Sequence, residues 1–308
     1  MLSRIAESLF WIGRYVERAD GTARILDVHL ERLNQMPRPV QSDVSRQLLG
    51  VMGSRPQTED FGLPELLEAL AFDRSSATSI AGALGAAREN ARRARETVSG
   101  SVWEGLNTTW YGLTQHRKDV VGTYRFCHWV LERTAMVRGL SDTTMSHDES
   151  WQFLVLGRSL ERADMTARML STRDVHASGL SWVNMLRCAG AYESFLRTRR
   201  ASFGEQHAAQ FLLLDRLFPR SIMYALSDAE KCLAKLNPEY QRVGFINDAS
   251  RIVGQARTFL EFHQTDDLMS ELPEHMERVQ KACARASDAV ARTYFSQAAE
   301  LSWVGEVS

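Results

Sequence analysis

Apolar residues return at three- and four-residue intervals along most of the chain. Leu9, Ile12, Val16, Ala19 and Ala23 make one such stripe, and Phe153, Leu156, Leu160, Ala163 and Ala167 make another. This is the period of an amphipathic helix. No segment alternates apolar and polar positions with β-branched enrichment, so the pattern assigns no sheet. Prolines mark the joints. Residues 3–34 run without one, Ser3 is the candidate cap, and Met36-Pro37-Arg38-Pro39 closes the helix, because proline lacks an N–H and restricts its predecessor. Further helices are predicted over 42–52, 63–72, 75–115 with a break near Ser99 and Gly100, 117–141, 150–173, 177–200, 205–217, 219–236, 239–263 and 273–298. The stretches 53–62 and 142–150 read as connections, Pro219 and Pro238 as first-turn prolines, and residues 301–308 as a loose tail with Trp303 its one anchor.

Both apolar stripes carry the same polar companion. Residues 13–24 read GRYVERADGTAR and residues 157–168 read GRSLERADMTAR, identical at nine of twelve positions. At about 100° per residue, Gly13, Glu17, Asp20 and Arg24 share a stripe about 60° wide, on the shoulder of the apolar face. Gly157, Glu161, Asp164 and Arg168 repeat that phase. A polar stripe beside a core face is where a helix meets another helix or lines a cleft. The predicted fold is an all-α bundle in which a partial internal repeat sets two related long helices side by side. It is expected to be one domain over 1–308, with halves of about 1–145 and 146–308.

Three explanations of the repeated charges stay open. The acids can pair internally with arginines where two similar helices cross about a pseudo-twofold axis; Asp20 with Arg24 and Asp164 with Arg168 already have favourable i,i+4 spacing. Both copies can instead line a groove that binds a carboxylate-bearing ligand through Arg14, Glu17, Asp20, Arg24, Arg158, Glu161, Asp164 and Arg168. Or Glu-x-x-Asp from each helix supplies four oxygen ligands to Mg²⁺ or Mn²⁺. An enzymatic variant makes Glu17 or Glu161 a general acid/base, its pKa raised by burial.

Composition narrows the classes. The chain has 308 residues, 44% apolar and 24% charged, with a net charge of −1, which argues against a nucleic-acid or anionic-membrane role. Cys127, Cys188, Cys232 and Cys283 form no C-x-x-C pair and read as small buried hydrophobes in a reducing, cytoplasmic setting. Arg4, Glu7 and Arg14 interrupt the first apolar stretch, so no signal peptide is expected, and no apolar run is long enough to span a bilayer. The eight histidines show no H-E-x-x-H spacing, and no P-loop, G-x-G-x-x-G or G-x-S-x-G occurs. No cofactor is predicted, and ATP chemistry would have to come from a partner.

Outside the repeat, Arg88, Arg92 and Arg95 recur on one helical face, with Arg93 nearby, as a solvated face or as an anion clamp. Trp103, Trp110 and Tyr111 read as core. Asp215 is a candidate to pair with an arginine across a helix junction. Arg220 follows Pro219 in a first turn where the helix dipole disfavours a cation, which points to an anionic partner.

The two GR-x-x-ERAD-x-TAR helices resemble those of the bacterial alpha-E family of all-helical proteins. ENARRARETVSGSVWEGLN at 89–107 and FLLLDRLFPRSIMYAL at 211–226 are similar to further segments of it, so the resemblance runs in order over nearly the whole chain. It implies a setting. Members of that family are typically encoded beside, or fused to, a circularly permuted ATP-grasp protein, often with a transglutaminase-like protein nearby. ATP-grasp enzymes activate carboxylates and ligate amines. The resemblance therefore implies an accessory or substrate-binding component of an amide-ligase system, against an enzyme in its own right or a ligand-free scaffold.

Overall fold

The computed structural model describes residues 2–56, 58–116, 118–172, 181–198, 204–237 and 247–295. Every regular element among them is helical. In chain order they are α1 (Ser3–Gln35), α2 (Arg38–Val51), α3 (Leu63–Leu67), α4 (Ile80–Arg93), α5 (Gly100–Gly112), α6 (Val120–Thr144), α7 (Glu149–Ser171), α8 (Trp182–Cys188), α9 (Tyr192–Thr198), α10 (Glu205–Leu214), α11 (Ile222–Leu236), α12 (Asp248–Phe262), α13 (Thr265–Ser270) and α14 (Leu272–Tyr294). A π turn, Glu68–Phe72, extends α3, and a 3₁₀ turn, Leu113–Gln115, follows α5.

Short polar side chains set half of the helix starts among the described residues. Ser79, Ser99, Asp119, Asp148, Ser181, Ser221 and Asn247 each accept a hydrogen bond from a first-turn backbone N–H. These caps correct several expected boundaries. The helix expected from 75 starts only after the Ser79 cap, while the break expected near Ser99 is present, with Ser99 capping α5. The connection expected at 142–150 shrinks, because α6 continues to Thr144 and Asp148 then caps α7. Pro219 lies two residues before the Ser221 cap, outside the first turn of α11. Ser3 is itself helical, and Leu2 precedes it without a side-chain cap. The helix expected over 42–52 begins at Arg38, with Pro39 in its first turn, where a missing N–H costs nothing. Pro238 and the tail with Trp303 lie outside the described residues.

Helices α1 and α7 are the axis of the structure and pack on each other along their length. Around α1, α4 and α6 lie against it, with α5 joining them. Around α7, α11 and α14 lie against it, with α12 joining them. The order of packing is thus the same on both sides. One apolar core runs through both groups, with Phe10, Phe126, Phe153, Phe195 and Trp182 among its largest fully buried side chains. All four cysteines are free and buried, as expected. Trp103 and Trp110 pack on the edge of the core, but Tyr111, expected inside, is 63% exposed.

The axis requires glycine at two matched places. A Cβ on Gly13 would overlap the carbonyl oxygen of Leu154, and one on Gly157 would overlap that of Phe10. Each obstacle is backbone, so no rotamer change relieves it. Replacing Gly13 or Gly157 with Ala is expected to destabilise the fold by at least the 1–3 kcal/mol or so typical of overpacking. The control is Gly139, exposed on α6 with open space around its Cα. There Ala is expected to stabilise by about 0.5–1 kcal/mol. Denaturant titration of the three variants decides between a helix contact made by glycine and a tolerant one.

Candidate functional site

Close approach of the two backbones places each copy's glutamate within reach of the other copy's arginine. Arg18 grips Glu161 with two bonds, Nε to Oε1 at 2.6 Å and Nη2 to Oε2 at 3.1 Å. Arg162 grips Glu17 in the same way, at 2.8 and 2.9 Å. Both glutamates are 1% exposed or less, so these bonds form away from water, where a bidentate pair is strong and an unpaired charge is costly.

The aspartates one turn further on bind within their own helices. Arg24 Nε meets Asp20 at 2.8 Å, and Arg168 Nε meets Asp164 at 2.7 Å. Each of these guanidiniums also donates from Nη1 to the last carbonyl of a short helix: Arg24 to Cys188 of α8 and Arg168 to Val51 of α2. The chain turns there through Gly190 (φ 63°) and Gly53 (φ 79°), a backbone conformation that favours glycine. The helix ends are thereby tied to the central acids.

Beyond these matched contacts the two sides differ. Around Glu17, Arg220 Nη1 donates to Glu17 at 2.8 Å and its Nη2 lies 2.8 Å from Asp20. Arg138 from α6 reaches Glu17 at 3.5 Å and Asp20 at 3.1 Å, and Thr134 donates to Asp20 at 2.9 Å. Around Glu161, Arg14 donates at 2.6 Å and also to Ser287 of α14. Counting from the caps Ser79 and Ser221, the position of Arg220 is taken by Thr78 on the other side. Arg14 has no counterpart contact either: Arg158 turns away from Glu17 to Asp142, 3.1 Å off.

The electrostatics follow from this packing. Burial alone would raise the carboxyl of Glu17, but Arg162, Arg220 and Arg138 outweigh it and hold the group far below the usual carboxylate range. Glu161 behaves alike: burial raises it, Arg14 and Arg18 win, and its pKa falls to about 2. Asp20 is likewise driven well below its ordinary value against burial, by Arg220, Arg138 and Arg24. Asp164 goes the other way, because burial and neighbouring Glu161 outweigh Arg168. Arg220, wholly enclosed, is pushed down to about 10 by burial, despite Asp20 and Glu17. The raised glutamate pKa expected from burial is therefore reversed, because sequence does not show how many arginines converge.

The structure thus gathers Arg14, Glu17, Asp20, Arg24, Glu161, Asp164, Arg168 and Arg220 into one buried network, and leaves Arg158 at its rim. Arg88 and Arg92 are elsewhere, on α4. Among the described residues Asp215 pairs with no arginine; it accepts the N–H groups of Leu217 and Phe218 and shapes the turn that delivers Arg220. That turn also explains Arg220, which stands before the cap of α11 and points at Glu17 and Asp20, not at the helix dipole. Arg18, Arg162 and Arg138 were missing from the expected set. The first two stood in the repeat itself; Arg138 stands outside it, in WVLERTAMVR at 129–138, which has a Glu-Arg pair but lacks the motif's Gly and Asp. No group of three or more His, Cys, Asp or Glu among the described residues is placed to hold a metal, and the network acids face guanidiniums.

Residues 1–295 match Alpha-E, described as a predicted alpha-helical domain with a conserved ER motif. The chain belongs to the Alpha-E family. The geometry gives its ER motif a physical meaning: Glu17-Arg18 and Glu161-Arg162 each supply the acid that the other's arginine holds. The Alpha-E chain is also similar to uncharacterized proteins of Mycobacterium bovis and Mycobacterium tuberculosis, each 23% identical over 257 residues that cover 72% of this chain and 28% of the relative. It therefore spans well under a third of the length of those relatives. No solved structure matches it. No helix among the described residues is long and apolar enough to cross a membrane.

Two outcomes test the network. Glu17→Gln is expected to lower stability by about 1–3 kcal/mol, and by more than Glu161→Gln, since it frees three guanidiniums against two; equal losses would contradict this ranking. The second concerns pH. His29 of α1 is buried, and its Nε2 lies 3.2 Å from Thr172 Oγ1 at the end of α7. Burial, helped by Arg32, lowers its pKa to about 4. The unfolded chain then binds the extra proton between about pH 6.5 and 4, so stability falls as pH drops through that window. Below about pH 4.5 the depressed Glu17, Asp20 and Glu161 add a second loss as they are protonated. His29→Gln is expected to flatten the first part of the melting-temperature profile and to leave the second.

Proposed function

We propose that this Alpha-E chain is a non-catalytic accessory component that acts joined to, or docked on, other proteins of an ATP-grasp amide-ligase system, with a transglutaminase-like protein as a further partner. The observation that carries this reading is the state of the ER glutamates. A general acid must hold a proton near neutral pH, and Glu17 and Glu161 are ionised, enclosed and bound at both oxygens by arginine. Such groups fix the crossing angle and register of two helices. They also leave no carboxylate oxygen of either glutamate free for a ligand or for Mg²⁺ or Mn²⁺.

The mycobacterial relatives support the accessory role, since the matching region is a minor part of each longer chain. A helical unit used in that way contributes shape and surface. Within such a system the ATP-grasp protein would activate the carboxylate, and this chain would present that enzyme or its peptide-like substrate.

The test is co-expression with a circularly permuted ATP-grasp protein from the same source. One complex is expected on size exclusion, together with no turnover by this chain alone when supplied with ATP, a carboxylate and an amine. Glu161→Gln is expected to reduce product only in proportion to the folded protein recovered. Turnover by the isolated chain, lost in a folded Glu161→Gln protein, would overturn the accessory role.

A further inference from the structure

The faces furthest from the central network are not alike, and the difference is one of charge. On the α4–α5 face three arginines lie against aromatic rings. Arg74 stands 4.9 Å from the centre of the Trp110 ring. Arg88 lies between Trp103 at 5.6 Å and Tyr111 at 5.8 Å, and its Nε donates to Asn107 at 2.8 Å. Arg95 lies 5.9 Å from the other side of this row, at Trp103. No carboxylate among the described residues forms an ion pair with Arg74, Arg88 or Arg95. Glu89, on the same helix, is taken by Arg92 and Arg93.

The α11–α12 face is the internal control. Counted from the caps Ser79 and Ser221, Arg88 corresponds to Glu230. Counted from Ser99 and Asn247, Trp103 corresponds to Arg251 and Tyr111 to Phe259. There the charges cancel. Arg257 pairs with Glu230 at 2.7 Å and with Glu261, Arg216 pairs with Glu261, and Arg251 pairs with Asp248 at 2.6 Å. On this face Arg216, Arg251 and Arg257 are paired with carboxylates, and Arg278 of α14, over the Phe259 ring at 4.1 Å, is left without one among the described residues; on the α4–α5 face Arg74, Arg88 and Arg95 all lie over rings without a carboxylate partner.

We propose that the α4–α5 face, through Arg74, Arg88 and Arg95, binds an acidic segment of a partner protein. Stacking fixes each guanidinium plane and leaves N–H groups for bidentate bonds to carboxylates. Arg88, on α4, and Arg95, in the turn after it, lie 5.6 and 5.9 Å from the centre of the same Trp103 ring, a separation that three or four residues of an extended chain cover. Single-stranded nucleic acid fits less well: Trp103 and Trp110 pack against the core and leave Tyr111 as the exposed ring of the row, too few for successive bases to stack on, and the chain as a whole carries a net charge of −1. This inference does not rest on the ATP-grasp assignment, since an acidic segment binds the face whatever system supplies it.

The probe is a fluorescein-labelled peptide of ten glutamates, titrated into the full chain, with Trp emission followed in parallel. Wild type is expected to bind with an affinity that falls at least tenfold between 50 and 200 mM salt, roughly the behaviour of a multi-contact electrostatic site. Arg88→Gln with Arg95→Gln is expected to weaken binding at least tenfold, while Arg251→Gln on the opposite face leaves it unchanged. Both positions are on the surface, and an unchanged thermal melt shows that the double variant is folded; Arg95→Gln alone, at an exposed site, gives a second reading. Absence of binding to wild type, equal binding by the double variant, or stronger binding of single-stranded DNA than of the peptide would each overturn the proposal.

Discussion

The structure depends on a contact that cannot be made halfway. Gly13 and Gly157 let two backbones meet, and only at that separation does Arg18 span to Glu161 and Arg162 to Glu17. The ion pairs form where Gly13 lies against the backbone at Leu154 and Gly157 against that at Phe10. The glycine contact in turn would bury two charges at great cost if the opposite arginines were absent. Sterics and electrostatics thus select the same crossing. Because both contacts are reciprocal, one register of α1 on α7 satisfies both copies at once.

The rest of the network extends outward from that crossing. Arg24 and Arg168 carry it to the ends of α8 and α2, where a glycine with positive φ makes room for the guanidinium. Arg138 carries it to α6, and Ser287 carries it to α14. A buried ionic network of this size adds little net stability over a hydrophobic core of equal shape. What it supplies is specificity: a neighbouring helix that slips loses several charge-assisted bonds together. The cooperative polar interior and the surrounding apolar core therefore do different jobs, the second driving collapse and the first fixing the arrangement.

The two sides of the axis are alike in framework and unlike in charge. Arg138 and Arg220 on one side stand opposite Ser287 and Thr78 on the other. The consequence is visible in titration behaviour, with Asp20 held ionised and Asp164 pushed toward its protonated form. A similar divergence marks the outer faces, where the α11–α12 arginines are neutralised and the α4–α5 arginines are not. Shared packing with divergent charge is what permits one scaffold to offer two different surfaces.

The sequence by itself determined the helical class, the two long helices and the nine matched positions, because helical period and residue identity are local properties. It also showed that the glutamates lie on the shoulder of a buried face. It did not show their partners. Arg220 is 203 residues from Glu17 and Arg138 is 121 away, and no periodicity encodes a meeting between such segments. The number of arginines around each acid decided the sign of the pKa shift. A helix boundary was missed where a cap overruled a continuous apolar pattern, as at Ser79, whereas the break near Ser99 was legible. Tertiary structure alone settled which charges are used up inside and which remain on the surface, because neutralisation depends on distance in space.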